Sequence, residues 1–257
     1  MLDAFFVGLQ FLTRISIVKQ TVWTEELFGR SVKYFPMIGA VLGIAYVIIT
    51  QIIIILTGGE LPTLTAAVIL MSTTVLTGAI HCDGFMDTMD GLFSGRDRDR
   101  MLEIMKDSRV GAFGVVSFVM LSILEFSALT ELTRYSTAIL LAAIYSAPII
   151  GRLMMVVVIG GFPYARPEGM GKAFAKYTTY STIIFAAIES FILLLPLSLI
   201  SITFIKSLLI ALTIVLLFTL YFGKFATKKV GGVTGDIYGA VEIISEVLVM
   251  LSFLLGC

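Results

Sequence analysis

Residues 35–57 read FPMIGAVLGIAYVIITQIIIILT and carry no charged side chain. A helix needs about 20 predominantly apolar residues to cross the hydrocarbon core of a bilayer. This run is long enough, and it predicts a transmembrane helix. Apolar runs follow at about 61–80, 110–130, 137–160, 182–205, 207–223 and 237–257, so about seven spans are expected. Only Lys206 and Ser207 divide the fifth from the sixth. The first 13 residues are too few to span, and they read as a short interfacial or re-entrant helix. Lipid leaves backbone polar groups no partner but each other, so helices and closed barrels are what cross it. The fold class that follows is an all-α polytopic membrane bundle, with residues 1–257 as one transmembrane domain.

Composition agrees. The chain is 58% hydrophobic and 14% charged, against roughly 25% charged in soluble domains, and its mean hydropathy is +1.02. Its 18 basic and 18 acidic residues cancel, which gives no sign of a nucleic-acid partner. Cys82 and Cys257 stand in different contexts, and no Cys/His cluster has zinc-site spacing. The opening MLDAFFVGLQFLTR lacks a basic n-region and a cleavage site, and is read as mature sequence.

Lys and Arg set orientation by their excess in cytoplasmic loops. If the segment before residue 35 is cytoplasmic, fifteen of the 18 basic residues fall on that side. Only Arg134 and Lys206 fall outside, and Arg152 lies within a span. The expected location is the cytoplasmic membrane, with the polar motifs on the cytoplasmic side.

The densest of these motifs is HCDGFMDTMDGLF, residues 81–93. Asp83, Asp87 and Asp90 stand at i, i+4 and i+7, one face of a helix. Like charges at this spacing repel, and a divalent cation removes the repulsion. Carboxylate oxygens suit Mg²⁺, which commonly binds a few carboxylates together with substrate phosphates. Gly84 and Gly91 flank the acids, and the lack of a Cβ would let a phosphate approach the backbone. The alternative is a solvated loop helix with ordinary surface acids. His81, the only histidine, reads as a general base or as a helix-end cap.

MKDSRVGAFG follows at 105–114. Lys106 and Arg109 suit an anion, Ser108 a hydrogen bond to it, and Asp107 a metal or the orientation of the cations. The alternative is a set of positive-inside residues and a cap. The RDRDR run at 96–100 reads equally as a solvated turn. Before the last span, GGVTGD (231–236) offers Gly232, Thr234 and Gly235 as a loop whose N–H groups can meet an anion. Asp236 there is a metal ligand or an N-cap. Glu242, Glu246 and Arg152 lie inside spans, where ionisable groups are costly; a structural Arg–Glu pair is one reading. Glu125 and Glu189 also lie in spans without an assigned role.

The stretches TGAIHCDGFMDTMDGLFSGRDRDRMLEIMKDSRVGAFG, YFPMIGAVLG, GGVTGDIYGAVE and FLTRISI together resemble the cobalamin synthase family, the adenosylcobinamide-GDP ribazoletransferases. The resemblance extends along the whole chain. It departs at Phe85-Met86, where Leu-Ala is expected; both positions lie between the acids and bear on packing. The resemblance implies a Mg²⁺-dependent membrane enzyme. Such an enzyme joins adenosylcobinamide-GDP to α-ribazole or α-ribazole 5′-phosphate and releases GMP. On that reading Asp83, Asp87, Asp90 and Asp236 hold the metal, and His81, Lys106, Asp107 and Arg109 do the chemistry. Gly84, Gly91, Ser108, Gly232, Thr234 and Gly235 line the substrate. The partners are these small molecules and the lipid bilayer, with homo-oligomer formation left open.

Three other classes fit parts of the pattern. CDP-alcohol phosphotransferases also use spaced aspartates and Mg²⁺, but their D-G-x-x-A-R element is missing after Asp83-Gly84. Aspartate-rich prenyltransferases fit the KDSR and TGD elements poorly. A secondary transporter would suit Arg152, Glu242 and Glu246, yet transporters gather polar groups near the midplane, and here the densest cluster lies between spans.

Overall fold

A computed structural model describes residues 2–19 and 23–256; Cys257 lies outside them. The chain is helical nearly throughout. The first helices are α1 (Leu2–Leu12), α2 (Glu25–Ser31), α3 (Phe35–Thr57), α4 (Pro62–Thr77), α5 (Ile80–Leu92) and α6 (Arg98–Ile104). Then come α7 (Ala112–Tyr135), α8 (Thr137–Gly161), α9 (Met170–Tyr177), α10 (Tyr180–Ile200), α11 (Ile202–Val230) and α12 (Gly235–Gly256). A 3-10 turn at Val32–Tyr34 makes α2 and α3 nearly continuous. Among the described residues six helices are long and apolar enough to cross a membrane, and the bent pair α4–α5 makes a seventh if counted as one span. The chain is an all-α, multi-pass membrane bundle.

The core is built on α8, which is buried along almost its whole length. Helix α3 lies against it through two glycines one turn apart. A Cβ on Gly39 would fall 2.2 Å from the carbonyl oxygen of Pro148, and one on Gly43 would fall 2.7 Å from that of Tyr145. Small residues at this spacing let backbones approach, which is how helices gain packing energy where lipid supplies no hydrophobic drive. Helix α12 packs on α8 from another side and is mostly buried. Ile44, Ile48, Ile52 and Ile55 on α3, Met120 and Ile123 on α7, and Leu217 and Tyr221 on α11 face outward, the surface lipid would cover.

Three departures from the sequence expectation have local causes. The division between α10 and α11 falls at Ser201, in extended conformation with φ −155°, and not at Lys206–Ser207; α11 then runs unbroken to Val230. Between the second and third expected spans, where only the acid triplet was read as helical, lie two helices, α5 and α6. The second span stops at Thr77 because Gly78 and Ala79 are both left-handed, with φ of 64° and 60°. Ala79 is the one described non-glycine residue with positive φ. That conformation costs an L-residue about 1–2 kcal/mol, and it turns the chain by 90° so that α5 runs across the bundle against α12. Arg14 seats its guanidinium on the break: a Cβ on Gly78 would lie 2.1 Å from Arg14 Nε. The Arg14 N–H also donates to Leu76 O at 2.7 Å.

Candidate active site

The turn at 78–79 decides which way α5 faces. Its buried side carries His81, Cys82, Gly84, Phe85 and Thr88. Asp83 is exposed, and Asp87 and Asp90 are half-buried. A Cβ on Gly84 would meet the Asp236 carbonyl at 2.9 Å, and one on Gly91 would sit 2.1 Å from Met105. These glycines therefore admit a neighbouring helix and the Met105 side chain. The expectation that they admit a phosphate is corrected: both are buried against other segments of the same chain.

Asp90 is engaged. The N–H groups of Gly111 and Gly114 donate to its Oδ2 and Oδ1 at 2.7 and 2.8 Å. Gly111 is the N-cap of α7 and has no side chain to accept from the third helical residue, Gly114. Asp90 does that work from another helix, and its negative charge suits the positive end of the helix dipole. Both glycines are required, because a Cβ on either would lie within 2.6 Å of the Asp90 carboxylate. We expect Asp90→Ala to remove about 1 kcal/mol of stability, lowering Tm by a few degrees in detergent. Asp90→Asn, which keeps one acceptor, should lose less. Thermal scans of the two variants check the order; equal Tm for wild type and Asp90→Ala would refute the cap.

This bond ties the acid helix to the end of the KDSR segment. Lys106, Ser108 and Arg109 are exposed. Arg109 grips Asp107 with a fork, Nε to Oδ1 at 3.1 Å and Nη2 to Oδ2 at 2.8 Å. Those hydrogen bonds hold the Asp107 carboxyl down at about 2. With the folded-state value depressed, the pair is lost only as pH falls through about 2, so it stays charged near neutrality. Asp107 thus orients Arg109. Of the RDRDR run, Asp97 caps α6 by accepting from Arg100 N–H at 3.0 Å. Arg98 donates through Nε to Val230 O, an end carbonyl of α11, at 2.9 Å. That run is therefore partly structural.

The glycine loop arrives from the other side. Val233 N–H donates to Pro163 O at 2.8 Å and Ala165 N–H to Val233 O at 2.9 Å, a short ladder joining 163–165 to 231–234. Gly232 is buried at this seam, where a Cβ would lie 2.3 Å from Pro163 O. Thr234 is fully buried, accepts from Ile237 N–H at 3.4 Å and donates to Asp236 Oδ2 at 3.2 Å. Both serve the fold of the loop, so a direct substrate contact by either is corrected. Gly235 faces open space. Asp236 forms an ion pair with Arg166 at 2.7 Å, a residue that sequence reading placed only among the loop cations.

Asp83 and Asp87 remain. Neither side chain makes a hydrogen bond or ion pair among the described residues, and Asp87 feels the negative charges of Asp236, Asp83 and Asp90 against the positive charge of Arg166. Asp83 opens on a cavity of about 410 Å³ that Gln10, Thr13, Arg14 and Thr77 also line. Among the described residues no three His, Cys, Asp or Glu side chains form a closed metal cage. Two uncommitted carboxylates one helical turn apart nonetheless fit Mg²⁺, which keeps waters and commonly takes one or two carboxylates plus phosphate oxygens.

Beneath these acids lies a buried charged network. His81 Nδ1 is 2.7 Å from Glu242 Oε2. Arg152 is fully buried, with Nη1 2.7 Å from Glu242 and 3.0 Å from Glu246. Glu125 lines the same small cavity with His81, Glu242 and Glu246. The ion-pair reading of Arg152 is the one the geometry supports, and Glu125 gains a place. His81 is turned inward, away from the exposed acid.

The family model described as cobalamin-5-phosphate synthase matches residues 4–254. An adenosylcobinamide-GDP ribazoletransferase of Desulfitobacterium hafniense is 37% identical over 96% of this chain and 94% of its own length. One of Fusobacterium nucleatum is 37% identical over 98% of this chain and 97% of its own. One of Clostridium acetobutylicum is 35% identical over 95% and 92%. No solved structure matches.

Proposed function

Because the chain belongs to the cobalamin-5-phosphate synthase family, we propose that it is a Mg²⁺-dependent phosphotransferase joining adenosylcobinamide-GDP to α-ribazole, or to its 5′-phosphate, with release of GMP. The observation that carries the chemistry is the pair of uncommitted carboxylates, Asp83 and Asp87, beside the Asp236–Arg166 pair and tied through Asp90 to the KDSR segment. The CDP-alcohol phosphotransferase and transporter readings give way to the family match.

Asp83 and Asp87 would hold Mg²⁺, with Asp236 and Asp90 next to them. An ion held there would supply charge neutralisation for a diphosphate and Lewis-acid polarisation of a phosphoryl group. The chain's own residues do the rest. Lys106 and Arg109, with Ser108 between them, face the phosphates from an exposed segment. Phosphoryl transfer leaves a protein mainly positioning and charge stabilisation to supply. An acceptor hydroxyl oxygen forms a bond to the phosphorus attached to the cobinamide side. The bond from that phosphorus to the bridging oxygen breaks, GMP leaves with the electron pair, and the hydroxyl proton passes to a carboxylate of α5. His81, sequestered on Glu242, positions α5 and is not the base. Asp107 orients Arg109. The basic-residue bias supports a site on the cytoplasmic face of the cell membrane.

The test is purified protein with adenosylcobinamide-GDP, α-ribazole and Mg²⁺, with and without chelator. GMP release that stops when Mg²⁺ is chelated is expected. Release of CMP from a CDP-alcohol, or of pyrophosphate, or transfer indifferent to chelation, would overturn the proposal.

A further inference from the structure

Resting on that reading, we propose that the cavity between α2 and α9 is the seat of the guanine base of the nucleotide donor, stacked on Trp23 and held by the Glu168 carboxylate. This cavity, about 780 Å³, lies apart from the acid helix and is lined by Trp23, Phe28, Glu25, Glu168, Lys172 and Lys176 among others. Its size is in the usual range for small-molecule sites.

Trp23 is 47% exposed. Its ring is backed by Phe28, with centroids 5.5 Å apart, and Phe28 is fixed in turn by Phe11 at 5.3 Å and Phe174 at 6.2 Å. A tryptophan supported on one side and open on the other is a platform for a planar ring, and nucleic-acid bases stack on such surfaces. An interfacial tryptophan facing only lipid headgroups would not require the four charged residues that share this cavity.

Those charges narrow the occupant. Glu25 and Lys176 pair with each other at 3.1 Å, and Lys172 donates to Pro167 O. Glu168 alone of the four has no ion pair or hydrogen bond among the described residues. With the charges balanced, the cavity suits an uncharged group and not a diphosphate. A carboxylate only accepts. Guanine presents two adjacent donors, N1–H and the N2 amino group, to such a partner, whereas adenine presents an acceptor at N1. The benzimidazole of α-ribazole offers no such donor pair.

The wall of the cavity adjoins the acid site through one residue, Pro167. Pro167 follows Arg166, whose guanidinium is 2.7 Å from Asp236, and consecutive Cα atoms lie about 3.8 Å apart. The ladder between 163–165 and 231–234 holds this segment in place. A nucleotide with its base on Trp23 can therefore direct its phosphates toward Arg166 and the carboxylates of α5.

Trp23 is the only tryptophan in the chain, so its fluorescence reports on this cavity alone. Full-length protein in detergent with Mg²⁺ is titrated with GMP, AMP and α-ribazole. Saturable quenching by GMP is expected, with AMP at least about tenfold weaker. Glu168→Gln, an exposed substitution, should weaken GMP by about tenfold, as expected for a hydrogen bond to a charged group, and erase the preference over AMP. No saturable quenching, equal response to GMP and AMP, quenching by α-ribazole in place of GMP, or an unchanged GMP affinity in Glu168→Gln would overturn the assignment. Any of these from protein that still releases GMP in the transfer assay removes this subsite and leaves the proposed activity standing. Wild-type protein that performs no transfer removes the activity itself.

Discussion

Replacing Asp87 with Ala should reduce transfer by on the order of a thousandfold, about 4 kcal/mol of transition-state stabilisation, while the protein remains in the membrane at wild-type level. Asp87 sits on α5 without a hydrogen-bonded partner among the described residues, amid the negative charges of Asp236, Asp83 and Asp90 and the positive charge of Arg166. Removing it relieves repulsion in the empty protein, so folding should not suffer. What is lost is one of the two free carboxylates that the proposed Mg²⁺ site requires. The same substitution at Asp83 should behave alike. Asp90→Ala should instead show a stability loss with a smaller fall in rate, since Asp90 is occupied in capping α7. Isothermal titration of Mg²⁺ in the presence of donor separates the cases: binding should vanish in Asp87→Ala and persist in Asp90→Ala. Near-wild-type turnover by Asp87→Ala would take the carboxylate pair out of the mechanism.

The second large effect is expected at Arg152, in the buried network beneath the acids. Arg152→Met should destabilise the protein by about 3–5 kcal/mol, because deleting one partner of a buried ion pair leaves the other uncompensated. Here two carboxylates are left, Glu242 and Glu246, at 2.7 and 3.0 Å from the lost guanidinium. Loss of folded protein from the membrane fraction, and a large drop in Tm for what remains, are the readouts. The triple variant Arg152→Met/Glu242→Gln/Glu246→Gln removes the orphaned charge and should recover much of the stability. It should not recover full activity, because Glu242 also holds His81 at 2.7 Å and so fixes α5 against α12. An Arg152→Met protein as stable as wild type would show that this network contributes little to the fold.

What could be read without coordinates was governed by composition and by residue type. Residues 35–57 have no charge to reconcile with lipid, so their membrane role follows from transfer energetics alone, and the same holds for the other apolar runs. The acid triplet could be placed on one helical face because helix periodicity is local. The placing of Arg152, Glu242 and Glu246 within spans offered a structural pair as one reading, since an isolated charge there is costly, and the ion pairs of the folded chain select it.

Other features depend on which distant segments meet. Nothing local told that Asp90 caps α7, because the need for a cap arises at Gly111, on a helix that begins 22 residues later, and is met only when the two helices touch. The spacing that put three aspartates on one face could not divide them into two free ligands and one cap. Gly84, Gly91 and Gly232 read as open backbone in one dimension, but each is filled by a neighbour in three. Arg166 looked like any loop cation until the ladder to Val233 brought it onto Asp236. The left-handed turn at Gly78–Ala79 is the decisive case: Ala79 has no intrinsic preference for that conformation, so the turn exists because packing α5 across α12 outweighs its local strain. Partition into lipid is a sum over residues and can be read along a chain, whereas a bond between residues far apart in sequence exists only after the chain has folded.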